Sequence, residues 1–240
     1  MPRVSEKEAA GPSKGDIVVQ SERFPGPGEV SASTPRSALN ASKHNNSSQN
    51  GVQRATILAI SVLVAVLAAV AASLGDPATA QAEGGGYVNK CGEGRIFLDE
   101  NEKKTFALHN EVRRNNNLPA FCVHPRLQKA ARAHSKDMIQ RAYFSHDTKG
   151  KNETFAERLK RLGYDPQGYR HYKVGENIAH GSGSAGEPEE IMRGWMQSDE
   201  HRRNIRDRDF REIGIGTYTG KWEGHNGVTM YTADFGVRRG

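Results

Sequence analysis

The chain has 240 residues, with 34 Lys and Arg against 28 Asp and Glu, a formal net charge of +6. Hydrophobic residues make up only 35%, below the globular norm of about 45–50%, which divides the chain into one folded domain and a polar stretch that builds no core. Two cysteines exclude a disulfide-dense scaffold and a four-cysteine zinc site, and no repeat of about 20–50 residues points to a solenoid or propeller.

Residues 1–54 are rich in Ser, Asn, Gly, Pro and Glu and read as a disordered cytoplasmic tail. Their apolar clusters, Ile17-Val18-Val19 and Ala38-Leu39, are too small to offset an ordering cost of about 1–2 kcal/mol per residue. Residues 55–74 hold seventeen apolar residues in twenty and no charge. As a helix they would span about 30 Å, the thickness of a bilayer core, so they read as a transmembrane helix, a signal anchor, rather than a buried core helix. Lys43 and Arg54 before the run, with Asp76 and Glu83 after it, put the N-terminus in the cytoplasm and the rest outside. The alternative is a signal-peptide core cleaved near Ala80 or Ala82, which releases a secreted protein. The first reading places the chain in the cell membrane as a single-pass protein with its C-terminal domain outside.

Residues 75–103 read as a linker leading into a domain over 104–237. Export puts Cys91 and Cys122 in an oxidising compartment, where a Cys91–Cys122 disulfide is expected; two free buried thiols are the alternative. The densest basic stretch, Arg202 to Arg211, is interleaved with Asp207 and Asp209 and reads as a solvated, salt-bridged surface. It has no one-sign stripe with aromatic residues, so no nucleic-acid partner is expected.

Asp99 with Glu102 predicts a capping box and a helix to about Arg114, with Thr105, Leu108, His109 and Val112 on its inner face. A second helix follows from Pro125 to about Ala142, a third from Thr154 to Gly163, and a fourth begins near Pro188 and presents Ile191, Met192, Trp195 and Met196 to the core. Strands are predicted at Tyr172 to Val174 running into Ile178, at Glu212 to Tyr218, and at Val228 to Phe235, with a loop of about nine residues between the last two. The simplest arrangement is an α+β fold, a small antiparallel sheet covered by helices on both faces.

The exported part carries eight histidines, and composition does not choose among them. The order of its motifs carries more. HNEVR (109–113), YFSH (143–146), GENI (175–178), GWMQSDEHRRNI (194–205), EIGIG (212–216) and MYTADFG (230–236) follow one another at family spacing. In these the chain resembles the bacterial branch of the CAP/SCP superfamily, the cysteine-rich secretory, antigen 5 and pathogenesis-related 1 proteins. The resemblance covers residues 104–237 and implies a three-layer α-β-α sandwich with a cleft of His and Glu side chains able to take a divalent metal, zinc first. Carried onto this chain, His146 and Glu176 match cleft positions, and His201 is the candidate second histidine. His146 and His201 would be the metal ligands. Glu200 is a weaker candidate, because the expected glutamate position after Trp195 holds Ser198. Met230 and Ala233 stand where eukaryotic members carry His and Gln.

Two imidazoles and a carboxylate could hold zinc with an open position, or act as an acid/base pair, but no Ser or Cys nucleophile motif accompanies them. His109, Asn110 and Arg113 read as a structural brace, His134 as a core residue, His124, His171 and His225 as surface residues. His180 is open between cleft and loop. Asn152-Glu153-Thr154 fits a glycosylation sequon, with Thr154 preferred as a helix cap. Three functions remain: a surface module binding an extracellular ligand (lipid, cell-wall fragment or protein), a metal-dependent hydrolase of peptide or cell-wall substrate, and a structural spacer.

Overall fold

Alternation of side chains in the C-terminal third builds the centre of the molecule. In the computed structural model, which describes residues 17–24 and 84–240, β6 (Glu212–Trp222) and β7 (His225–Arg239) form a long antiparallel hairpin. The nine-residue loop expected between them is a two-residue turn. Glu223 and Gly224 both take positive φ, 46° and 86°, as a tight hairpin turn of this hand requires. Gly220 and Gly227, within that expected loop, lie in the strands, with a register shift between Gly220 and Trp222.

β5 (His171–Ser182) pairs antiparallel with the other side of β7. β4 (Cys122–Val123) adds parallel to β6, a pairing the antiparallel expectation missed. β1 (Val18–Phe24) adds antiparallel to β5, giving the order β1-β5-β7-β6-β4. A separate hairpin joins β2 (Gly86–Asn89) and β3 (Arg95–Leu98). Residues 18–24 thus depart from the disordered tail read over 1–54. A neighbouring strand satisfies their backbone, and Ile17 and Val19 lie against the apolar core. The rest of that tail, the apolar run 55–74 and the small-residue sites at Ala80 and Ala82 lie outside the described residues. Among the described residues no helix is long and apolar enough to cross a membrane.

The helices are α1 (Glu100–Asn115), α2 (Pro125–Gln140), α3 (Phe155–Arg161), α4 (Pro188–Gln197) and α5 (Asp199–Arg206). Both anticipated capping boxes form, at Asp99 with Glu102 and at Thr154 with Glu157. α5 is the unforeseen helix. The stretch read as a charged surface turns Asn204, Ile205 and His201 inward and leaves Arg203 and Arg206 exposed. It starts after Ser198, whose extended backbone (ψ 128°) breaks it from α4.

The sheet is the middle of three layers. One face buries Leu127, Phe155, Leu159 and Met138 of α2 and α3 against Val174, Ile178 and Met230. The other buries Trp195, Ile191 and Ile205 of α4 and α5, with α1, against Ile213, Ile215, Tyr231 and Phe235. α2 touches β6 backbone to backbone. A Cβ on Gly214 or Gly216 would lie 2.1 Å from the carbonyl carbons of Leu127 and Ala131, so the glycines of EIGIG are contact residues.

The inner face of α1 is more polar than its pattern predicted. Thr105 and His109 are buried as expected, but the rest of the buried set is Glu102, Asn110 and Arg113, while Leu108 and Val112 are half-buried. Arg113 donates to the carbonyls of Pro119, Ile205, Asp207 and Phe210, and Asn110 pairs with both backbone groups of Phe121. This is the brace read from the sequence, anchored on loops rather than on the sheet. The Cys91–Cys122 disulfide is formed and ties the β2–β3 hairpin to the β4 edge.

Candidate functional site

Alternation along β5 sorts the site residues. Tyr172, Val174, Glu176 and Ile178 face the α2–α3 layer, while Asn177 and Ala179 face α4 and α5. Glu176 is fully buried on the first face. His146, in the loop after α2, puts Nδ1 2.7 Å from one Glu176 oxygen. Arg158 of α3 donates to the other oxygen and, at 2.7 Å, to the His146 carbonyl. Burial pushes the Glu176 carboxyl up, but the Arg158 guanidinium and its histidine neighbours outweigh that and hold it below the ordinary glutamate range.

Asp234 of β7 pairs directly with Glu176 in the ladder and is equally buried. Burial and then the Glu176 charge push it well above the aspartate range, opposite to the shift at Glu176, which favours the protonated form at Asp234. Arg158 and Asp234 were missed in the sequence. MYTADFG contained the signal for Asp234, a carboxylate in an otherwise apolar strand; Arg158 sits on a helix face that periodicity alone assigns to the core.

His201 approaches from α5, on the other face. Its Nδ1 is 2.7 Å from Ser198 Oγ, so the residue standing at the expected glutamate position orients the histidine instead. Burial lowers His201 to about 4, the Gln20 carbonyl near the ring works against that, and His146 is close enough for its charge to add to the lowering. Among the described residues the Nε2 atoms of both His146 and His201 are buried and make no hydrogen bond of ordinary geometry, with the Gln20 carbonyl beside the His201 ring.

The structure therefore joins His146 to Glu176 and sets His201 across the β5 edge from them. Both oxygens of Glu176 are engaged, one by His146 and one by Arg158, so it orients His146, as a carboxylate orients a ligating imidazole. Among the described residues no group of three or more His, Cys, Asp or Glu is placed to hold an ion. The ring atoms of His146 and His201 left over from these bonds are the two Nε2 nitrogens. Glu200 is exposed on the first turn of α5. Met230 and Ala233 are core residues.

The remaining histidines lie elsewhere. His134 is buried, with Nε2 3.0 Å from the Ser145 carbonyl, and burial lowers it to about 3. His180 lies in β5 rather than in a loop, between Phe144 and Trp222 at 4.8 and 4.6 Å. His109 sits among Trp195, Phe121 and Phe235. His124, expected at the surface, is half-buried and caps α2 through Nδ1. A surface pocket of about 350 Å³ opens away from the His146–Glu176 pair, with mixed-sign walls of Arg23, Asp199, Arg202, Arg203, Arg206 and Asp207.

A three-layer sandwich whose edge-proximal strand carries a glutamate joined to a loop histidine is an SCP-type arrangement. The chain belongs to the cysteine-rich secretory protein (CAP) family, whose match covers residues 106–235, just over half of it. It is 37% identical over 116 residues to the uncharacterized protein YkwD of Bacillus subtilis (strain 168) and 31% identical over 117 residues to the uncharacterized membrane protein YlbC of the same organism. Those stretches are 48% of this chain in each case and 41% and 31% of the two relatives. Among solved structures, it is similar to an extracellular protein containing a SCP domain from Bacillus anthracis str. Ames (30% identity, TM-score 0.46, 58% of this chain and 40% of that one). An outer surface protein from Borrelia burgdorferi matches at 21% identity and TM-score 0.46, over 65% of this chain and 99% of that one.

Proposed function

We propose that the protein is an exported CAP module that binds an extracellular ligand at the β5 edge, between His146 and His201. The observation that carries this reading is the pair of imidazoles with Nδ1 held and Nε2 buried and making no hydrogen bond of ordinary geometry. A buried nitrogen left unpaired calls for an explanation, such as a water or an ion, and here two of them flank one edge. A divalent ion, zinc first, is the partner that two imidazole nitrogens favour; when bound it would supply a Lewis acid at the cleft and take its remaining donors from ligand or water. Supporting export are the apolar run 55–74, as anchor or as signal core, and the disulfide, which fits an oxidising compartment. The membrane protein YlbC among the relatives favours the anchored form.

The His146–Glu176 pair also supports a hydrolytic second reading, since a carboxylate that fixes Nδ1 leaves Nε2 as a base toward water. Zinc titration of the full chain in detergent, read by calorimetry with peptide and cell-wall turnover assays in parallel, tests both readings. The expected result is one zinc per chain, lost in His146→Ala and in His201→Ala, with no turnover. Turnover that disappears in His146→Ala would make the protein a hydrolase. Zinc content unchanged in both variants removes the proposed site.

A further inference from the structure

We propose that the β5 edge is a docking groove for an extended peptide, which adds to the sheet as a strand between the two histidines, and that residues 17–24 display the register such a peptide takes. This rests on the reading of the domain as a ligand-binding module and names the class of ligand.

The resident strand occupies a built groove. β1 runs antiparallel along β5 from Val18 opposite His180 to Phe24 opposite Val174. Alternate residues point at the α4–α5 layer. Ile17 and Val19 lie over Gly194 of α4, and a Cβ there would meet only their side chains, at 3.3 and 3.4 Å. Glycine inside a helix costs about 1 kcal/mol against alanine, and nothing but the strand occupies the space it leaves. Ser21 meets Asn204, a buried side chain of α5 that holds the strand by its backbone. Its Nδ2 lies 3.3 Å from the Glu22 carbonyl, 3.1 Å from Ser21 Oγ and 2.9 Å from Asn177 Oδ1. Arg23 donates to Asn204 Oδ1 at 3.0 Å, pairs with the buried Asp207 at 2.9 Å and lies over the Phe210 ring. The Gln20 carbonyl lies beside the His201 ring.

The groove thus reads a short code: two aliphatic residues at alternate positions, a small polar residue two further on, and arginine two after that. Main-chain pairing supplies affinity and these pockets supply the choice of sequence. Export changes the occupant. A chain that crosses the bilayer once at 55–74 has residues 17–24 on one side and the domain on the other, and cleavage near Ala80 or Ala82 removes them. In either exported form the edge stands open, a condition that natural sheets cover or block, and a peptide from another molecule takes the place.

The test uses the full chain in detergent micelles and a fluorescein-labelled peptide of sequence IVVQSERF. Val19→Pro, which removes a donor and a β-branched side chain from the resident strand, is expected to bind the peptide at least tenfold tighter than the wild type, where the resident strand, which no bilayer keeps from the domain in a micelle, pairs as in the structure and competes. Adding Gly194→Leu, which fills the groove without removing a core contact, is expected to reverse that gain with thermal unfolding unchanged. A peptide with alanine at the arginine position is expected to bind several-fold more weakly. Equal binding by wild type and Val19→Pro, or binding indifferent to Gly194→Leu, overturns the proposal. Pairing of the Val19→Pro chain into dimers in place of peptide binding, read by light scattering, also overturns it and makes a second β5 edge the occupant. Repeating the titration in EDTA and with His146→Ala separates the two readings: peptide bound and zinc lost removes only the histidine site, and zinc bound without peptide removes only the groove.

Discussion

Arg158 is the residue on which the buried charges turn. It is one guanidinium between two carboxyls, Glu176 and Asp234, and it also holds the His146 loop by its carbonyl. Removing one partner of a buried pair leaves the other charge uncompensated, a loss of about 3–5 kcal/mol. Arg158→Met is expected to lose that much in urea unfolding, and Arg158→Lys to recover only part, since lysine keeps the charge and not the fork. Asp234→Asn is expected to change stability by less than about 1 kcal/mol, because asparagine replaces an acid whose protonated form is favoured. A large loss in Asp234→Asn would mean that the two carboxyls share the charge differently. Part of this was legible: YFSH and GENI, through the family resemblance, named His146 and Glu176, and the brace role of Arg113 in HNEVR followed from its helical spacing. What the sequence left out was which atoms would be free. That Glu176 is held by Arg158 depends on a contact between residues eighteen apart on different elements, and no local pattern encodes it.

Elements were read best where a local signal stood alone. Both capping boxes, Pro125 at the start of α2 and the stop at Gly163 are chemistry of a few adjacent residues. α5 was lost because its charged residues are spaced for a helix but dominate its composition, and β1 because an average over 54 polar residues hides seven that can pair. The length of the β6–β7 hairpin was lost because glycine marks both turns and close contacts. Gly214 and Gly216 are of the second kind, with the α2 backbone where a side chain would be. Gly214→Ala or Gly216→Ala is expected to cost more than about 3 kcal/mol by forcing α2 off the sheet, measured as a fall in the unfolding midpoint. Gly224→Ala, at the open turn where a Cβ meets nothing, is expected to cost less, through its positive φ alone. Equal losses at the three positions would remove the close helix–strand contact as the cause.

At the scale of the molecule, acid is the expected threat. Burial lowers His109, His180 and His201 to about 4 and His134 to about 3, against 6.5 for a free ring. Between about 6.5 and 4 the unfolded chain takes up protons at these rings and the folded one does not, so stability is complete above that window and falls as pH falls through it. Each ring contributes about 1 kcal/mol per pH unit; His124, lowered to about 4 by burial and its cationic neighbours, adds to them, and Asp234, with its raised pKa, acts in the opposite sense but is one group against five. The midpoint of thermal unfolding is expected to drop by at least about 5 °C from pH 7 to pH 5, and a flat profile over that range would mean that the rings are not held neutral.

The two rims of the five-stranded sheet are closed by different means. Beside β4, Lys90 and Cys91 pair with Val123, and the cystine rivets them there. Beside β5 lies β1, held by hydrogen bonds and packing without a covalent tie. Copies joining through this sheet have only one adhesive side each, so growth stops at a closed couple: a fibre needs a head and a tail, and here the tail is sealed covalently.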